Sequence, residues 1–296
     1  MNTYGLDTES FCESSQQHQT KAKDIMKYGI LTVKRDTPVY QAIAILIDRN
    51  ISGLPVVDDN MHLQGIISEK DVLRLLYTLR RSAGDVERFM TTDVVSFNQE
   101  DSFDDICFCF ANNDFRRVTI LNDDAKFVSL ISRSDIIRTY KERFQPSGLF
   151  KETAKNKKPF QATEVMNKGL ITVGKDDSIY HAMEALADNN ITGLPVVTEN
   201  MQLIGIVSEK DIINYLCSND SQPCTVEQIM TEEVVSFTPQ DSLLDICDCL
   251  IHNHFRRVTI VEQGRLVGIV SRSDIIKYIL RHQAAIFRRR KTDPAD

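Results

Sequence analysis

The feature that most constrains the fold of this chain is an internal duplication. Residues 51–71 read ISGLPVVDDNMHLQGIISEKD, and residues 191–211 repeat them as ITGLPVVTENMQLIGIVSEKD, 140 positions later. Residues 115–135 (FRRVTILNDDAKFVSLISRSD) return in the same way at 255–274, with one residue fewer in the turn. Self-similarity at a fixed period is typical of folds that are built from repeated units. The chain therefore consists of two halves with one design.

Each half divides once more at a spacing of 64 residues. Ser68 corresponds to Ser132, and Asp71 corresponds to Asp135. The chain thus contains four related units, numbered 1 to 4, at residues 22–82, 86–144, 162–220 and 226–284. The remaining segments are predicted to be a polar N-terminal tail (1–21), a lysine-rich linker between the halves (145–161) and a basic C-terminal tail (285–296).

The pattern within a unit predicts an alternation of strands and helices. In unit 1, residues 31–33 read as a short strand, and residues 39–50 carry apolar side chains at helical spacing. Residues 53–57 and 63–67 read as a hairpin, and residues 69–79 as a second helix. The predicted fold class is α/β (α+β), with four repeats of strand-helix-strand-strand-helix in two tandem modules. Because about 60 residues bury only a modest core alone, we expect the units to pair through their sheets.

The charge balance argues against a membrane or nucleic-acid protein. The net charge is −7, whereas broad binding to nucleic acid depends on a basic surface. No apolar stretch approaches the roughly 20 residues that a membrane helix needs. The first twenty residues lack the apolar run of a signal peptide, so we expect a cytoplasmic protein with reduced cysteines. Binding of DNA or RNA through the linker lysines and the basic tail stays open as an alternative.

The sequence offers little that could catalyse a reaction. It contains no phosphate-binding P-loop, nucleophile elbow or zinc-protease string, and the repeats take up nearly the whole chain. Cys107 and Cys109, like Cys247 and Cys249, stand two apart within predicted helices, where side chains point in different directions. We therefore expect a protein that is not an enzyme, with packing cysteines and without a metal site or a catalytic cofactor.

A Ser-x-x-Asp motif recurs in all four units, where the hairpin gives way to the second helix. Serine at a helix N-cap, with an acid three residues on, is a typical capping arrangement. The same helix N-terminus also offers backbone N–H groups to a phosphate, and a carboxylate can accept hydrogen bonds from ribose hydroxyls. The two uses are compatible. The four pairs are Ser68 and Asp71, Ser132 and Asp135, Ser208 and Asp211, and Ser271 and Asp274.

These strings resemble those of tandem cystathionine-β-synthase (CBS) domains. The resemblance rests on ISGLPVV, GIISEKD, FRRV and SRSDII, on their order and spacing, and on their fourfold repetition over nearly all of residues 22–284. It implies disc-like modules whose clefts hold AMP, ADP, ATP or other adenosyl ligands. It also implies that each motif aspartate binds ribose hydroxyls and that each motif serine approaches phosphate.

Further candidate ligand residues lie near the motif. The resemblance implies ligand contacts from a hydroxyl residue at the start of each unit, although such residues also simply favour strands. Arginines of units 2 and 4 have planar donor forks that match phosphate oxygens, although salt bridges are an ordinary alternative. Lys70 and Lys210 are additional cations. The hydroxyl residues are Thr32, Ser96, Thr172 and Ser236, and the arginines are Arg116, Arg117, Arg133, Arg256, Arg257 and Arg272.

Unit 2 departs from the pattern at one position. Ser129 stands three residues before the motif serine, where the other units have Gly65, Gly205 and Gly268. We therefore expect the cleft at Asp135 to be the least secure of the four.

The resulting hypothesis is a non-catalytic regulatory protein. Adenosine nucleotides would bind in clefts between paired units, and a change of module geometry would pass the bound state to a regulated protein. A second copy of the chain, docked through the modules, is another candidate partner. Two alternatives stay open: an interaction scaffold with empty clefts, in which the motifs act only as caps, and a nucleic-acid-associated regulator.

Overall fold

The computed structural model describes residues 20–79, 84–144, 160–218 and 224–289. Residues 1–19, residues 145–159 of the predicted linker with its lysines, and the end of the basic tail from residue 290 lie outside these ranges. Lys21 and Gln161, assigned above to the tail and the linker, form β-bridges to Ser102 and Ser242 and so belong to the folded units.

The described residues form eight α-helices and ten strands. The helices are α1 Val39–Asp48, α2 Glu69–Leu79, α3 Phe103–Asn112, α4 Arg133–Phe144, α5 Ile179–Asp188, α6 Glu209–Ser218, α7 Leu243–His252 and α8 Arg272–Arg289. The strands are β1 Gly53–Val57, β2 Leu63–Ser68, β3 Ser96–Asn98, β4 Arg117–Leu121, β5 Phe127–Ser132, β6 Gly193–Val197, β7 Leu203–Ser208, β8 Ser236–Phe237, β9 Arg257–Glu262 and β10 Arg265–Ser271. A short 3₁₀ turn opens each unit, and α8 continues through residues 285–289 of the predicted tail.

The hairpin and second helix of each unit confirm the prediction. In unit 1, β1 pairs antiparallel with β2, Gly53 lies opposite Ser68, and α2 begins at the next residue. The first helix ends at Asp48, two residues earlier than predicted. Asn50 has a φ of 52°, in the left-handed region that ends a helix and that asparagine adopts more readily than most residues.

The opening strand differs between odd and even units. Units 2 and 4 contain β3 and β8, each parallel to the central strand, whereas unit 1 has only one bridge, from Val33 to Val56. The predicted strand at 31–33 is therefore wrong in length. Pro55 of β1 has no N–H to donate, whereas Thr119 at the matching position donates to the Val95 carbonyl at 3.2 Å. The second half shows the same difference, because unit 3 has one bridge, from Val173 to Val196, whereas unit 4 contains β8.

Sheets pair within each half, as expected from the size of a unit. Phe127 of unit 2 donates its N–H to the carbonyl of Met61 in unit 1 at 2.8 Å, and Leu266 of unit 4 donates to Met201 of unit 3 at the same distance. These contacts confirm the arrangement in two tandem modules.

Helices pack across the two halves. One large apolar core joins units 1 and 3, where Val72 of α2 and Ile212 of α6 are buried together. A second joins units 2 and 4, where Ile136 of α4 and Ile275 of α8 are buried. Each unit thus contacts one neighbour through its sheet and another through its helices, and the two halves pack within one chain. Nowhere in the described ranges does a helix combine the length and apolar character needed to span a bilayer.

We call residues 25–33, 89–98, 165–173 and 229–238 the opening segments. The first part of each opening segment lies on the sheet of the neighbouring unit, and its end pairs with the central strand of its own unit. Ile66 and Thr91 exchange two backbone hydrogen bonds, at 2.9 and 2.8 Å. A Cβ at Gly65 would lie 2.7 Å from the Thr91 carbonyl oxygen and 2.9 Å from the Met90 sulfur. Glycine stands three residues before the motif serine because the opening segment leaves no space for a side chain there.

Replacement of Gly65 by alanine tests this packing. The added Cβ meets backbone that is held by the Ile66 and Thr91 hydrogen bonds, so we expect Gly65→Ala to lower the free energy of unfolding by roughly 1–3 kcal/mol. Gly174→Ala is the matched control, because its nearest contact would be 3.7 Å, and it should change stability by less than about 0.5 kcal/mol. Urea unfolding of both variants measures the difference, and equal midpoints would contradict the packing argument.

Candidate functional site

The four Ser-x-x-Asp motifs adopt one geometry. The Asp71 Oδ2 atom accepts hydrogen bonds from the Ser68 backbone N–H at 2.8 Å and from the Ser68 hydroxyl at 2.6 Å. The other three motifs have the same two contacts within 0.1 Å. One carboxylate oxygen therefore closes the helix N-terminus, as the capping interpretation predicts, and each motif serine donates its hydroxyl to its own aspartate.

The second carboxylate oxygen, Oδ1, distinguishes the four motifs. Asp71 Oδ1 accepts a hydrogen bond from the Thr91 hydroxyl at 3.2 Å. The Oδ1 atoms of Asp211 and Asp274 have no hydrogen-bond partner among the residues that the structure describes. Both aspartates are half-buried, so these oxygens can accept bonds from a ligand.

The motif of unit 2 is the exception. Asp135 Oδ1 lies 2.8 Å from the Lys27 Nζ atom and 3.2 Å from an Arg138 guanidinium nitrogen. The Asp135 side chain is only 4% exposed, whereas that of Lys27 is 52% exposed. The cleft expected to be the least secure therefore has a carboxylate that is already ion-paired.

In each half, the opening segment of one unit lies against the strand that leads to the motif aspartate of the other unit. Thr91 of unit 2 contacts Asp71 of unit 1, and Lys27 of unit 1 contacts Asp135 of unit 2. Each cleft thus lies between two units, and we name each cleft after its aspartate.

The Asp211 cleft is open and has a volume of about 330 Å³. Within the described structure, the Asn214 Oδ1 atom is buried and has no hydrogen-bond partner. A buried acceptor without a donor is unusual in a folded protein and suits a ligand that supplies one. The lining residues are Asp211, Asn214, Tyr215, Ser218 and Ile229.

The candidate hydroxyls of the opening segments fall into two classes. The Ser96 hydroxyl lies 2.6 Å from the Thr119 hydroxyl, and the Ser236 hydroxyl lies 2.7 Å from that of Thr259. Both bonds join the opening strand to the central strand. Thr32 and Thr172 are half-buried, and their hydroxyls have no hydrogen-bond partner in the described parts of the chain.

Four charged side chains, one from each unit, meet where the sequence analysis placed two phosphate-binding arginines. Arg116 lies 3.0 Å from Glu209 and 3.7 Å from Glu69, and Arg256 lies 2.5 Å from Glu69 and 3.6 Å from Glu209. We call these four residues the central cluster. Each arginine contacts both glutamates, whose side chains are 6% and 3% exposed, so the buried charges compensate one another.

The glutamates of the central cluster were missed in the sequence analysis. Glu69 and Glu209 directly follow the motif serines of the odd units, whereas Arg133 and Arg272 occupy this position in the even units. The odd units thus have an acidic residue where the even units have a basic one, and this difference is the sequence signal that could have revealed the two glutamates.

The second arginine of each pair is more deeply buried. Arg117 donates to the Ser52 hydroxyl at 2.7 Å, and Arg257 donates to the Thr192 hydroxyl and the Gly193 carbonyl. Burial, aided by the charge of the neighbouring arginines, lowers the pKa of Arg117 and of Arg257 to about 10. Both therefore stay charged at neutral pH and supply fixed positive charge beside the central cluster.

The arginines that follow the motif serines have structural contacts instead. Arg133 donates to the Asn113 carbonyl at 2.7 Å, just beyond α3, and Arg272 donates to the Leu250 carbonyl in α7 at 2.9 Å. Cations at helix C-termini are favourable. Burial lowers the pKa of Arg133 and lowers that of Arg272 to about 10.

The two candidate lysines link the halves. Lys70 donates to the Asn190 side chain at 2.5 Å, and Lys210 donates to the Asn50 side chain at 2.6 Å. These contacts link α2 and α6 to the residues that follow the first helix in the opposite half.

Two of the cysteines in the first helices of the even units lie in the packed core. Cys107 and Cys247 are buried, and this burial raises the pKa of both thiols, that of Cys247 to about 12. In the described ranges, no three His, Cys, Asp or Glu side chains come together in a way that could hold a metal ion.

Comparison with protein families matches CBS domains at residues 22–78, 83–142, 162–218 and 226–281. The chain belongs to the CBS domain family. This CBS protein is 26% identical to the uncharacterized protein MJ1225 of Methanocaldococcus jannaschii over 193 residues, which are 65% of this chain and 69% of that relative. It is 28% identical to the uncharacterized protein MJ1404 of the same organism over 273 residues, 87% of this chain and 61% of that relative.

Solved structures show the same fold. The crystal structure of MJ1225 covers 88% of this CBS protein and all of its own chain, with a TM-score of 0.78 at 20% identity. A conserved protein of Pyrococcus horikoshii has the same coverage, with a TM-score of 0.61 at 21% identity.

A double-mutant cycle tests the central cluster of this CBS protein. With Arg116→Met, Glu209→Gln and the double variant, we expect a coupling energy of about 1–3 kcal/mol in urea unfolding, because both side chains are largely buried. The exposed pair of Lys175 and Glu227, 3.1 Å apart, is the control and should show a much smaller coupling that salt abolishes. Additive effects of Arg116→Met and Glu209→Gln would show that the cluster does not join the units.

Proposed function

We propose that this CBS protein is a non-catalytic regulatory sensor of adenosine nucleotides, with AMP, ADP or ATP as ligand. The observation that carries the proposal is the Asp211 carboxylate, which lines an open cleft; its Oδ2 atom closes α6, and its Oδ1 atom has no partner among the described residues. A ribose offers two neighbouring hydroxyl donors, which suits such an acceptor.

The charge arrangement supports a ligand that carries phosphate. Glu209 lies two residues before Asp211 in the first turn of α6 and contacts Arg116 and Arg256. The helix N-terminus and the two arginines favour an anion at this place. A phosphate that arrives here competes with Glu209 for the arginines.

This competition gives a physical route from binding to signal. Because Arg116 and Arg256 each contact glutamates of both halves, a phosphate that takes one arginine changes contacts between units. A ligand shifts a conformational equilibrium only through such differences in contact. A regulated protein, or a second copy of the chain, reads the resulting geometry, and the cytoplasm is the location that adenosine nucleotides imply.

Two relatives are consistent with this proposal. MJ1225 has been suggested to be an archaeal homologue of γ-AMPK. The inosine-5'-monophosphate dehydrogenase of M. jannaschii, which by its name acts on a purine nucleotide, is 31% identical over 126 residues. Those residues are 25% of the enzyme, so its catalytic activity is not carried over to this chain.

Calorimetric titration with AMP, ADP and ATP tests the proposal on the full chain. We expect Asp211→Asn to weaken the tightest nucleotide site by roughly 10- to 100-fold, since a hydrogen bond to a charged group contributes about 1.5–3 kcal/mol. Asp135→Asn is the matched control, because it alters the same cap in a cleft whose Oδ1 atom is already ion-paired, and it should leave that affinity unchanged.

Two results would contradict the proposal. If no nucleotide binds the natural protein at millimolar concentration, the clefts are not sensors and the scaffold alternative stands. If Asp211→Asn lowers the thermal stability but leaves nucleotide affinity intact, the aspartate acts only as a helix cap.

A further inference from the structure

We infer that the Asp135 cleft is closed by the chain's own Lys27, whose ammonium group occupies the place that a ribose takes in the other clefts. The identity of the ligand in those clefts rests on the proposed function, but the contact between Lys27 and Asp135 does not. The inference assigns Lys27 as the residue that determines how many clefts accept a ligand.

The hydrogen-bonding capacity of Asp135 is fully used. Its Oδ2 atom accepts from the backbone N–H and the hydroxyl of Ser132, at 2.9 and 2.5 Å. Its Oδ1 atom accepts from Arg138 at 3.2 Å and lies 2.8 Å from the Lys27 Nζ atom in an ion pair. An ionised carboxylate has about four acceptor positions, so none is left for a ribose hydroxyl.

A second departure in the same cleft holds Lys27 in place. In the other three clefts the opening segment and the neighbouring strand form a backbone bridge, as between Asn167 and Ile269. Lys27 instead donates its N–H to the Ser129 hydroxyl at 3.1 Å, and that hydroxyl donates to the Lys27 carbonyl. Ser129 replaces the glycine of the other units, so both unusual residues of this cleft act together.

A ligand could displace the present partner of the aspartate far more easily in the Asp71 cleft than in the Asp135 cleft. At Asp71 a ribose hydroxyl would replace the Thr91 hydroxyl, which exchanges one neutral donor for another. At Asp135 it would replace two cations on a carboxylate that is 4% exposed, and breaking a buried ion pair is strongly destabilising.

The closure makes the two halves unequal. The first half keeps one cleft that can accept a ligand, at Asp71, and the second half keeps two, at Asp211 and Asp274. Lys27 also joins unit 1 to unit 2 whether or not nucleotide is present. Ligand-dependent changes should therefore arise mainly in the second half.

Opening the closed cleft tests the inference. The variant Lys27→Asn, Ser129→Gly, Arg138→Lys gives this cleft the residues found at Asn167, Gly268 and Lys277 around Asp274. In calorimetric titration of the full chain with AMP, we expect the natural protein to bind no more than three nucleotides and the variant to bind one more. Lys168→Asn, which removes an exposed positive charge from another opening segment, is the control and should leave the number unchanged.

The possible outcomes separate this inference from the proposed function. Four nucleotides on the natural protein, or no additional site in a folded variant, would overturn the inference while the sensor proposal stands. If the natural protein binds none of AMP, ADP and ATP, the sensor proposal fails and a double-mutant cycle of Lys27→Met with Asp135→Asn decides. Strong coupling between these two changes in thermal unfolding would then support the closure, and additive effects would overturn it.

Discussion

The central cluster is the contact on which the arrangement of the four units depends. Duplication of an ancestral half supplies two glutamates and two arginines, and each arginine contacts glutamates of both halves. A buried charge without a partner is strongly unfavourable. The shorter contact of each glutamate is to the arginine of the opposite half, at 2.5 Å for Glu69 and 3.0 Å for Glu209, so the cluster ties the two shared apolar cores into one structure.

In each motif aspartate, the two carboxylate oxygens have different surroundings. In all four units one oxygen closes a helix N-terminus, so the aspartate stabilises its helix whether or not a ligand is present. The other oxygen is available at Asp211 and Asp274, hydroxyl-bonded at Asp71 and ion-paired at Asp135. The capping interpretation therefore holds in all four units and is compatible with the proposed binding through the second oxygen, and the four clefts are not equivalent.

The repeats made most of the fold predictable, because hairpin, turn and helix signals are local. The start of α2 directly after Ser68 follows from the capping motif alone. The opening strand of unit 1 was predicted too long because its pairing depends on Pro55, a residue of a different strand. Long-range pairs such as Arg256 with Glu69, 187 residues apart, leave no pattern within one unit. The departure at Ser129 lies in the cleft whose aspartate is ion-paired, but Lys27, 102 residues away, gave no signal of its own.

A crystal structure of the full chain grown with AMP tests the central claim most directly, namely that the partner of the second carboxylate oxygen of each motif aspartate decides which clefts bind. The account predicts ribose hydroxyls on the Oδ1 atom of Asp211, with Lys27 still on Asp135. A nucleotide bound at Asp135 with Lys27 displaced, or a ribose held by residues other than a motif aspartate, would contradict it.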